Sequence, residues 1–316
     1  MLYQWQIADY NALAESFIQR QFSALLVYAG VNSGQEQLVQ QLVNFMLCSQ
    51  PNNMHACGTC NACILFRESN HPDYFVLCGD ENEESKTPQI KVEQIRGLIT
   101  FANRSQHVSA YKVIVLPRIS ELNVNSANAL LKILEEPPSN CIFILQADNL
   151  NQVLPTIKSR CFKYRLNLPS WQQALELLQL KSNAEFWLRY FNGEPFFEVP
   201  LSDNQLEQYQ QTLLKPSIDS IFALSKDLDP KKIGMKVLVE FLLKWLGDLV
   251  AIKQGANLTY FASQAPALQN LIPRLSLEKL FNLQDDLIFL NEWHAHPLNH
   301  KLQFENILYK YQQLYV

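Results

Sequence analysis

Four cysteines, Cys48, Cys57, Cys60 and Cys63, form a C-x8-C-x2-C-x2-C run, and no other local feature restricts the folding of the chain so tightly. Zn²⁺ takes four soft ligands at tetrahedral corners about 2.3 Å away, and a C-x2-C step lets one tight turn deliver two thiolates to adjacent corners. The spacing predicts a closed, structural zinc site with these four ligands and no open position for water. Gly58 suits a turn that needs positive φ, and Asn52–Asn53 supply loop chemistry between the first two cysteines. A disulfide pair or scattered core cysteines is the alternative. Cys78, Cys141 and Cys161 lack ligand-like spacing, and two of them lie in apolar surroundings, as buried free thiols do.

A length of 316 residues suggests two or three domains with a sizeable core. Met1–Tyr10 lacks the basic and apolar regions of a signal peptide, and no stretch approaches the roughly 18 to 20 apolar residues of a membrane span. A cytoplasmic protein without membrane partners is expected. With 26 basic and 30 acidic residues the net charge is −4, so the chain offers no general field for nucleic acid. Any DNA contact would be local or made through partners.

The apolar run Ala24–Ala29, the loop Gly30–Gly34 and a helical pattern carrying Leu38, Leu42, Phe45 and Met46 have the layout of a phosphate-binding unit. The helix leads into Cys48, so the cysteine segment reads as an insertion. Beyond it come an extended Pro72–Val76, a polar acidic loop Glu81–Lys86, a helical Val92–Ala102 and an apolar strand Lys112–Leu116. Ser126–Glu136 is a strong helical pattern with Ala127, Leu130, Leu131 and Leu134 on one face, stopped by Pro137–Pro138, and Cys141–Gln146 is another strand. Strands alternating with helices predict an α/β domain with a largely parallel sheet ending near Leu166. After Pro169 the pattern turns helical: Trp171–Leu180, Phe186–Phe191, Leu206–Leu214, Ser217–Leu224, Gly234–Lys253, Leu277–Leu290 and Leu302–Tyr315. Gly234–Lys253 is apolar over much of its circumference, which places it at the centre of a bundle.

A working phosphate loop reads G-x4-G-K-[ST], with Lys on the phosphates and the hydroxyl on Mg²⁺. Here Ala29 takes the first Gly place, and Gly34–Gln35–Glu36 stands where Gly-Lys-Ser/Thr belongs. Gln35 cannot neutralise a phosphate, and Glu36 puts negative charge where a triphosphate would lie. After the strand Lys112–Leu116, the acidic pair that would hold the metal is replaced by Pro117 and Arg118. The loop Gly30, Gly34, Gln35, Glu36 is therefore a degenerate P-loop, with no bound ATP and no catalysis of its own expected. A chain that was never a P-loop fold is the alternative.

Asn125–Pro138 (NSANALLKILEEPP), followed by Ser159–Arg160–Cys161, resembles the bacterial clamp-loader subunits of the AAA+ class. The likeness extends to the cysteine quartet, His71–Tyr74 (HPDY), Ile90–Arg96 (IKVEQIR) and Leu154–Cys161 (LPTIKSRC), across about the first 166 residues. The helical remainder agrees only in architecture and length. The resemblance implies a RecA-like AAA+ domain over residues 1–166 with a zinc knuckle at about 48–75, a small helical lid over 167–203 and an all-α collar, or oligomerisation, domain over 204–316. It also implies that loss of both nucleotide motifs marks the non-ATPase stator of the pentameric DNA polymerase III clamp loader. The partners would be the gamma/tau motor subunits and the delta subunit, and through them the sliding clamp and primed DNA. In this family Ser-Arg-Cys presents an arginine to the ATP of a neighbouring subunit, so the resemblance makes Arg160 an arginine finger and Ser159 the residue that positions its loop. A guanidinium is permanently charged and forked, which suits it to phosphate oxygens. Lys158, Arg160, Lys163 and Arg165 put four positive charges within eight residues.

Other candidates read as structural. His71 is superfluous as a ligand beside four cysteines, and Glu135 and Glu136 read as ion-pair partners within the module or across a subunit contact. Arg118 is expected to make an internal ion pair, and Asp148 follows a strand where ATPases carry a polar sensor. Two rival functions stand beside the clamp-loader reading: a self-sufficient AAA+ ATPase of the gamma/tau kind, and a zinc-dependent nucleic-acid-binding module.

Overall fold

The structure, a computed structural model, describes residues 2–80, 88–178, 181–292 and 299–315. The acidic segment Glu81–Lys86 lies outside the described residues. The chain divides into two compact units, Met1–Ser170 and Trp171–Val316.

The first unit is a parallel sheet of five strands: β1 (Ala24–Tyr28), β2 (Tyr74–Val76), β3 (Lys112–Leu116), β4 (Cys141–Ala147) and β5 (Phe162–Arg165), in the order β2-β3-β4-β1-β5. The inner strands are apolar on both faces because both are covered, as parallel sheets require. Successive residues serve opposite layers. Ala24, Leu26, Ile114, Leu116, Phe143 and Leu145 face α4 (Val92–Ala102) and α5 (Val124–Glu135). Leu25, Val27, Val113, Val115, Ile142 and Ile144 face α1 (Ile7–Ile18) and α2 (Gln35–Leu47). The expected sheet and its covering helices are present.

α5 starts where the Asn123 side chain accepts a hydrogen bond from the Ser126 N–H at 2.9 Å, an N-cap that satisfies an orphan donor. Its buried face runs through Ala127, Leu130, Ile133 and Leu134, while Leu131 is only half-buried. The short helix α3 (Asn61–Arg67) lies inside the cysteine segment, and α6 (Pro155–Lys158) precedes β5.

Asp73 anchors the segment that leads into β2. It is completely buried, and its carboxylate accepts from the backbone N–H groups of His107, Val108 and Ser109 at 2.8, 2.7 and 2.9 Å. His71 Nδ1 accepts from the Asp73 N–H at 3.1 Å, which leaves the proton on Nε2, 3.0 Å from Ser109 Oγ. Ser109 Oγ in turn donates to the Leu47 carbonyl at 2.6 Å. The serine, histidine and aspartate thus meet, but the imidazole has no free nitrogen to act as base towards Ser109. They form a clip that ties residue 47 to residues 71–73, the two ends of the cysteine insertion.

The second unit is helical: α7 (Trp171–Leu177), α8 (Ala184–Tyr190), α9 (Asp203–Leu214), α10 (Ile218–Asp227), α11 (Pro230–Ile233), α12 (Met235–Lys253), α13 (Ala265–Gln269), α14 (Leu277–Glu292) and α15 (His300–Gln312). One continuous apolar core runs from Ala174 to Leu314, with Leu238, Phe241, Leu242, Trp245 and Leu249 of α12 inside it. The aromatic residues are packing, as expected. Trp245 Nε1 donates to Tyr311 Oη at 2.9 Å, which donates to the Leu213 carbonyl at 2.8 Å, so these two buried polar tips are paired, whereas the buried indole N–H of Trp187 has no partner among the described residues. Among the described residues, no helix is long and apolar enough to cross a membrane.

Burial by itself would raise the Asp73 pKa, but the three backbone N–H groups, with His71 nearby, hold it below the ordinary carboxylate value. A depressed folded-state pKa gives stability that is present above the unfolded value, about 3.9, and is lost as pH falls through the folded value. Asp73→Asn should lower the urea midpoint at pH 7 by the equivalent of about 2–4 kcal/mol, leaving the m-value unchanged. The gap from wild type should begin to narrow below about pH 4, where the carboxylate of the unfolded chain takes up its proton, and close as pH falls through the lower folded-state value.

Candidate functional site

The four cysteines are brought together by three separate devices. Cys48 follows the last residue of α2, Cys57 and Gly58 form a turn with Gly58 at φ +74°, and Cys60 caps α3, whose first turn carries Cys63. Tyr10 holds the loop from α1: its hydroxyl donates to the Met54 carbonyl at 2.6 Å, and its ring stacks on His55 with centroids 5.1 Å apart.

All four Sγ atoms lie within 4.8 Å of one another. A tetrahedron with arms of about 2.3 Å has edges of about 3.8 Å; the Cys48–Cys60 and Cys57–Cys63 sulfur pairs are 3.9 and 4.0 Å apart. These separations are far beyond a disulfide bond, about 2.04 Å, and all four thiols are free. Backbone N–H groups point at the sulfurs: Cys57 N–H to Cys48 Sγ at 3.3 Å, Cys60 N–H to Cys57 Sγ at 3.3 Å, and Cys63 N–H to Cys60 Sγ at 3.5 Å. The backbone N–H groups of Thr59 and Cys60 pull the Cys57 thiol down to about 6, while burial pushes those of Cys48 and Cys63 up. Four gathered thiolates would repel one another without a cation, so the donor set fits a metal ion, and it leaves no protein-free corner for chemistry.

The loop after β1 is occupied by the chain's own groups. Gly34 is left-handed (φ 76°) and caps α2, and its carbonyl accepts from Gln6 Nε2 at 2.8 Å. Gln35 is buried and donates through Nε2 to Asp148 Oδ1 at 3.3 Å. Glu36 is exposed. Burial raises the Asp148 pKa and Glu36 raises it further, against the lowering effects of Arg118 and the Gln35 hydrogen bond. The expected internal ion pair of Arg118 is present: its Nε lies 2.5 Å from Oε1 of the buried Glu121, whose Oε2 accepts from the Gly79 N–H at 2.7 Å. Gly79 must be glycine at this approach, since a Cβ there would meet the Gln89 backbone nitrogen at 2.6 Å. Among the described residues, Gln35 and Glu36 follow Gly34, and Pro117 and Arg118 follow β3, at the places where a P-loop protein carries its lysine, hydroxyl and acidic pair.

Ser159 and Arg160 lie between α6 and β5. Arg160 Nη1 donates to the Thr156 carbonyl at 2.9 Å and to Ser159 Oγ at 3.4 Å, and Ser159 Oγ donates to the same Thr156 carbonyl at 3.0 Å. Arg160 Nη2 forms an ion pair with Glu135 Oε1, at the end of α5. The two groups lie 25 residues apart in the chain, and no local pattern joins them. The neighbouring basic residues divide: Lys158 Nζ donates to the Leu150 carbonyl at 3.2 Å, while Lys163 and Arg165 are the exposed positions of β5. β5 is an edge strand, where charged side chains discourage pairing with another chain.

The parallel register fixes where these groups can act. β1 and β5 pair from Leu25↔Phe162 to Tyr28↔Arg165. The Gly30–Gly34 loop therefore leaves the carboxyl edge of the sheet, and Arg160 enters at the amino edge. Five residues of strand at about 3.3 Å each separate the edges by roughly 16 Å or more. Arg160 cannot serve the loop of its own chain. A cleft of ≈ 490 Å³ beside Arg20, Tyr111 and Pro137–Pro138 also opens at the amino edge, away from the degenerate loop.

Two connections carry no local signal in the sequence. α1 was not anticipated, nor was its buried Asp9, whose carboxylate accepts from the Asn167 N–H at 2.8 Å, Asn167 Nδ2 at 2.6 Å and Tyr164 Oη at 3.1 Å. A single acid within an otherwise ordinary helix gives no local signal for a bond 158 residues away. β5 was likewise concealed by its charges.

A family model described as "DNA polymerase III, delta subunit" matches residues 5–170. DNA polymerase III subunit delta' of Pseudomonas aeruginosa is 38% identical over 177 residues, 56% of this chain and 52% of that protein. The subunit delta' of Escherichia coli is 32% identical over 217 residues, 67% of this chain and 64% of that protein. The chain thus spans about half to two thirds of the length of these curated relatives in the matched regions. A DNA polymerase III gamma subunit-related protein from Thermotoga maritima shares the fold, with a TM-score of 0.51 over 97% of this chain and 99% of that one, at 16% identity. With the matched region covering the whole α/β unit, the chain belongs to the DNA polymerase III delta subunit family, and its relatives there are the delta' subunits.

Proposed function

We propose that this chain is a non-ATPase clamp-loader subunit that lends Arg160 to an ATP site on a neighbouring motor subunit. The observation that carries this reading is the β1–β5 register, which sets the degenerate loop and Arg160 at opposite edges of one sheet. An arginine so placed is out of reach of its own chain's loop and free to serve a nucleotide only on another chain. Ser159 shapes the finger by accepting from Arg160 and bonding back to Thr156.

In this reading residues 1–166 are a RecA-like AAA+ domain without nucleotide switching of its own, because Gln35, Glu36, Pro117 and Arg118 replace the groups that would bind and polarise a magnesium nucleotide. Residues 167–203 form a helical lid and 204–316 a collar that joins related domains of the other subunits, although both share the continuous core of the second unit. The partners are gamma/tau and delta subunits, with the sliding clamp and primed DNA reached through the assembly in the cytoplasm. Cys48, Cys57, Cys60 and Cys63 hold a structural Zn²⁺ that closes the insertion at about residues 48–75.

Three outcomes follow. The purified chain should carry one equivalent of zinc by metal analysis, and chelation should open residues 48–75 to proteolysis while the second unit stays protected. Continued protection of that segment without metal would remove zinc from the account. Calorimetry with ATP analogues should give no binding heat for the isolated chain; saturable micromolar binding would favour a self-sufficient ATPase. In a reconstituted clamp loader, Arg160→Ala should slow turnover at the site it serves by roughly a thousandfold, the scale of a lost arginine finger. Unchanged clamp- and DNA-stimulated ATPase would overturn the assignment of Arg160.

A further inference from the structure

The ion pair between Arg160 and Glu135 calls for an explanation beyond stability. Glu135 is the last residue of α5 and is followed by a second carboxylate, Glu136. A helix C-terminus already carries partial negative charge, so a pair of acids there is electrostatically unfavourable by itself. The Arg160 guanidinium relieves that strain, yet both side chains remain in contact with solvent, 30% and 50% exposed. A solvent-exposed pair of this kind is weak and readily exchanged.

The two arms of the guanidinium are held differently. Nη1 is bound within its own loop, to the Thr156 carbonyl and Ser159 Oγ. Nη2 alone reaches across to Glu135. A carboxylate and a phosphate present the same paired oxygens to an arginine fork. The loop can therefore stay formed while one arm changes its anionic partner.

We propose that Glu135 is a placeholder for phosphate. In the free chain its carboxylate holds the Nη2 arm of Arg160 in reach of the amino edge, and on assembly the arm leaves Glu135 for a terminal phosphate oxygen of the neighbour's nucleotide. Glu135 then acts as a positioning residue that makes docking sensitive to whether that nucleotide is present. Without the competing carboxylate, the finger engages phosphate more readily. This inference rests on the role of Arg160 in trans proposed above.

The test measures the affinity of the full chain for a gamma-type motor subunit, with the motor nucleotide-free and with it loaded with a slowly hydrolysed ATP analogue. Wild type, Glu135→Gln, Glu135→Asp, Arg160→Ala and the Glu135→Gln/Arg160→Ala double variant are compared. Glu135→Gln should bind the loaded motor about two- to fivefold more tightly than wild type, the range of an exposed ion pair. Its affinity for the nucleotide-free motor should be unchanged, which also reports intact folding. Glu135→Asp, which keeps the charge on a shorter arm, should fall between the two. Arg160→Ala and the double variant should both lose the nucleotide-linked gain, and to the same extent. If Arg160→Ala loses that gain but Glu135→Gln leaves it unchanged or weakened, the placeholder is wrong and the finger stands. If Arg160→Ala keeps the gain, the finger reading fails and the placeholder fails with it.

Discussion

The parallel pairing of β1 with β5 is the constraint from which the functional layout follows. Parallel strands send every strand-to-helix loop to one edge of the sheet and bring every helix-to-strand loop in at the other. The register from Leu25↔Phe162 to Tyr28↔Arg165 therefore separates the Gly30–Gly34 loop from Arg160 by the full length of the strands. No rotamer change bridges that span. A chain built in this way can lose its own nucleotide chemistry and still keep a group that is useful to a neighbour.

The losses at the carboxyl edge are filled rather than left open. Gln35 takes up Asp148, Gln6 takes up the Gly34 carbonyl, and Arg118 takes up Glu121. The cysteine insertion is stapled at its base by the Leu47–Ser109–His71–Asp73 clip and braced from α1 by Tyr10. Its four thiols are gathered closely enough to hold one metal ion with no protein-free corner.

Much of this was legible in the sequence because the inner strands are buried on both faces and read as unbroken apolar runs, with α2, α4 and α5 showing clear helical spacing between them. The cysteine cluster was legible because ligand spacing is local, and Gly58 does adopt the positive φ expected of it. What escaped depends on distance in the chain or on the edge of the sheet. α1 begins at Gln6 without a side-chain cap, and its Asp9 is satisfied only by residues near the end of the unit. β5 alternates half-buried rings with exposed charges, so Lys163 and Arg165 looked like part of a basic turn. Glu135 and Arg160 were each noticed, but the fold had to cross 25 residues to pair them.

The most direct measurement is the structure of a reconstituted clamp loader trapped with a phosphate transition-state analogue. The account requires the Arg160 guanidinium to lie within hydrogen-bonding distance, about 3 Å, of the analogue bound to a neighbouring subunit, with the loop of this chain empty of nucleotide. Nucleotide in the Gly30–Gly34 loop, or an Arg160 that points away from every neighbouring phosphate, would contradict it.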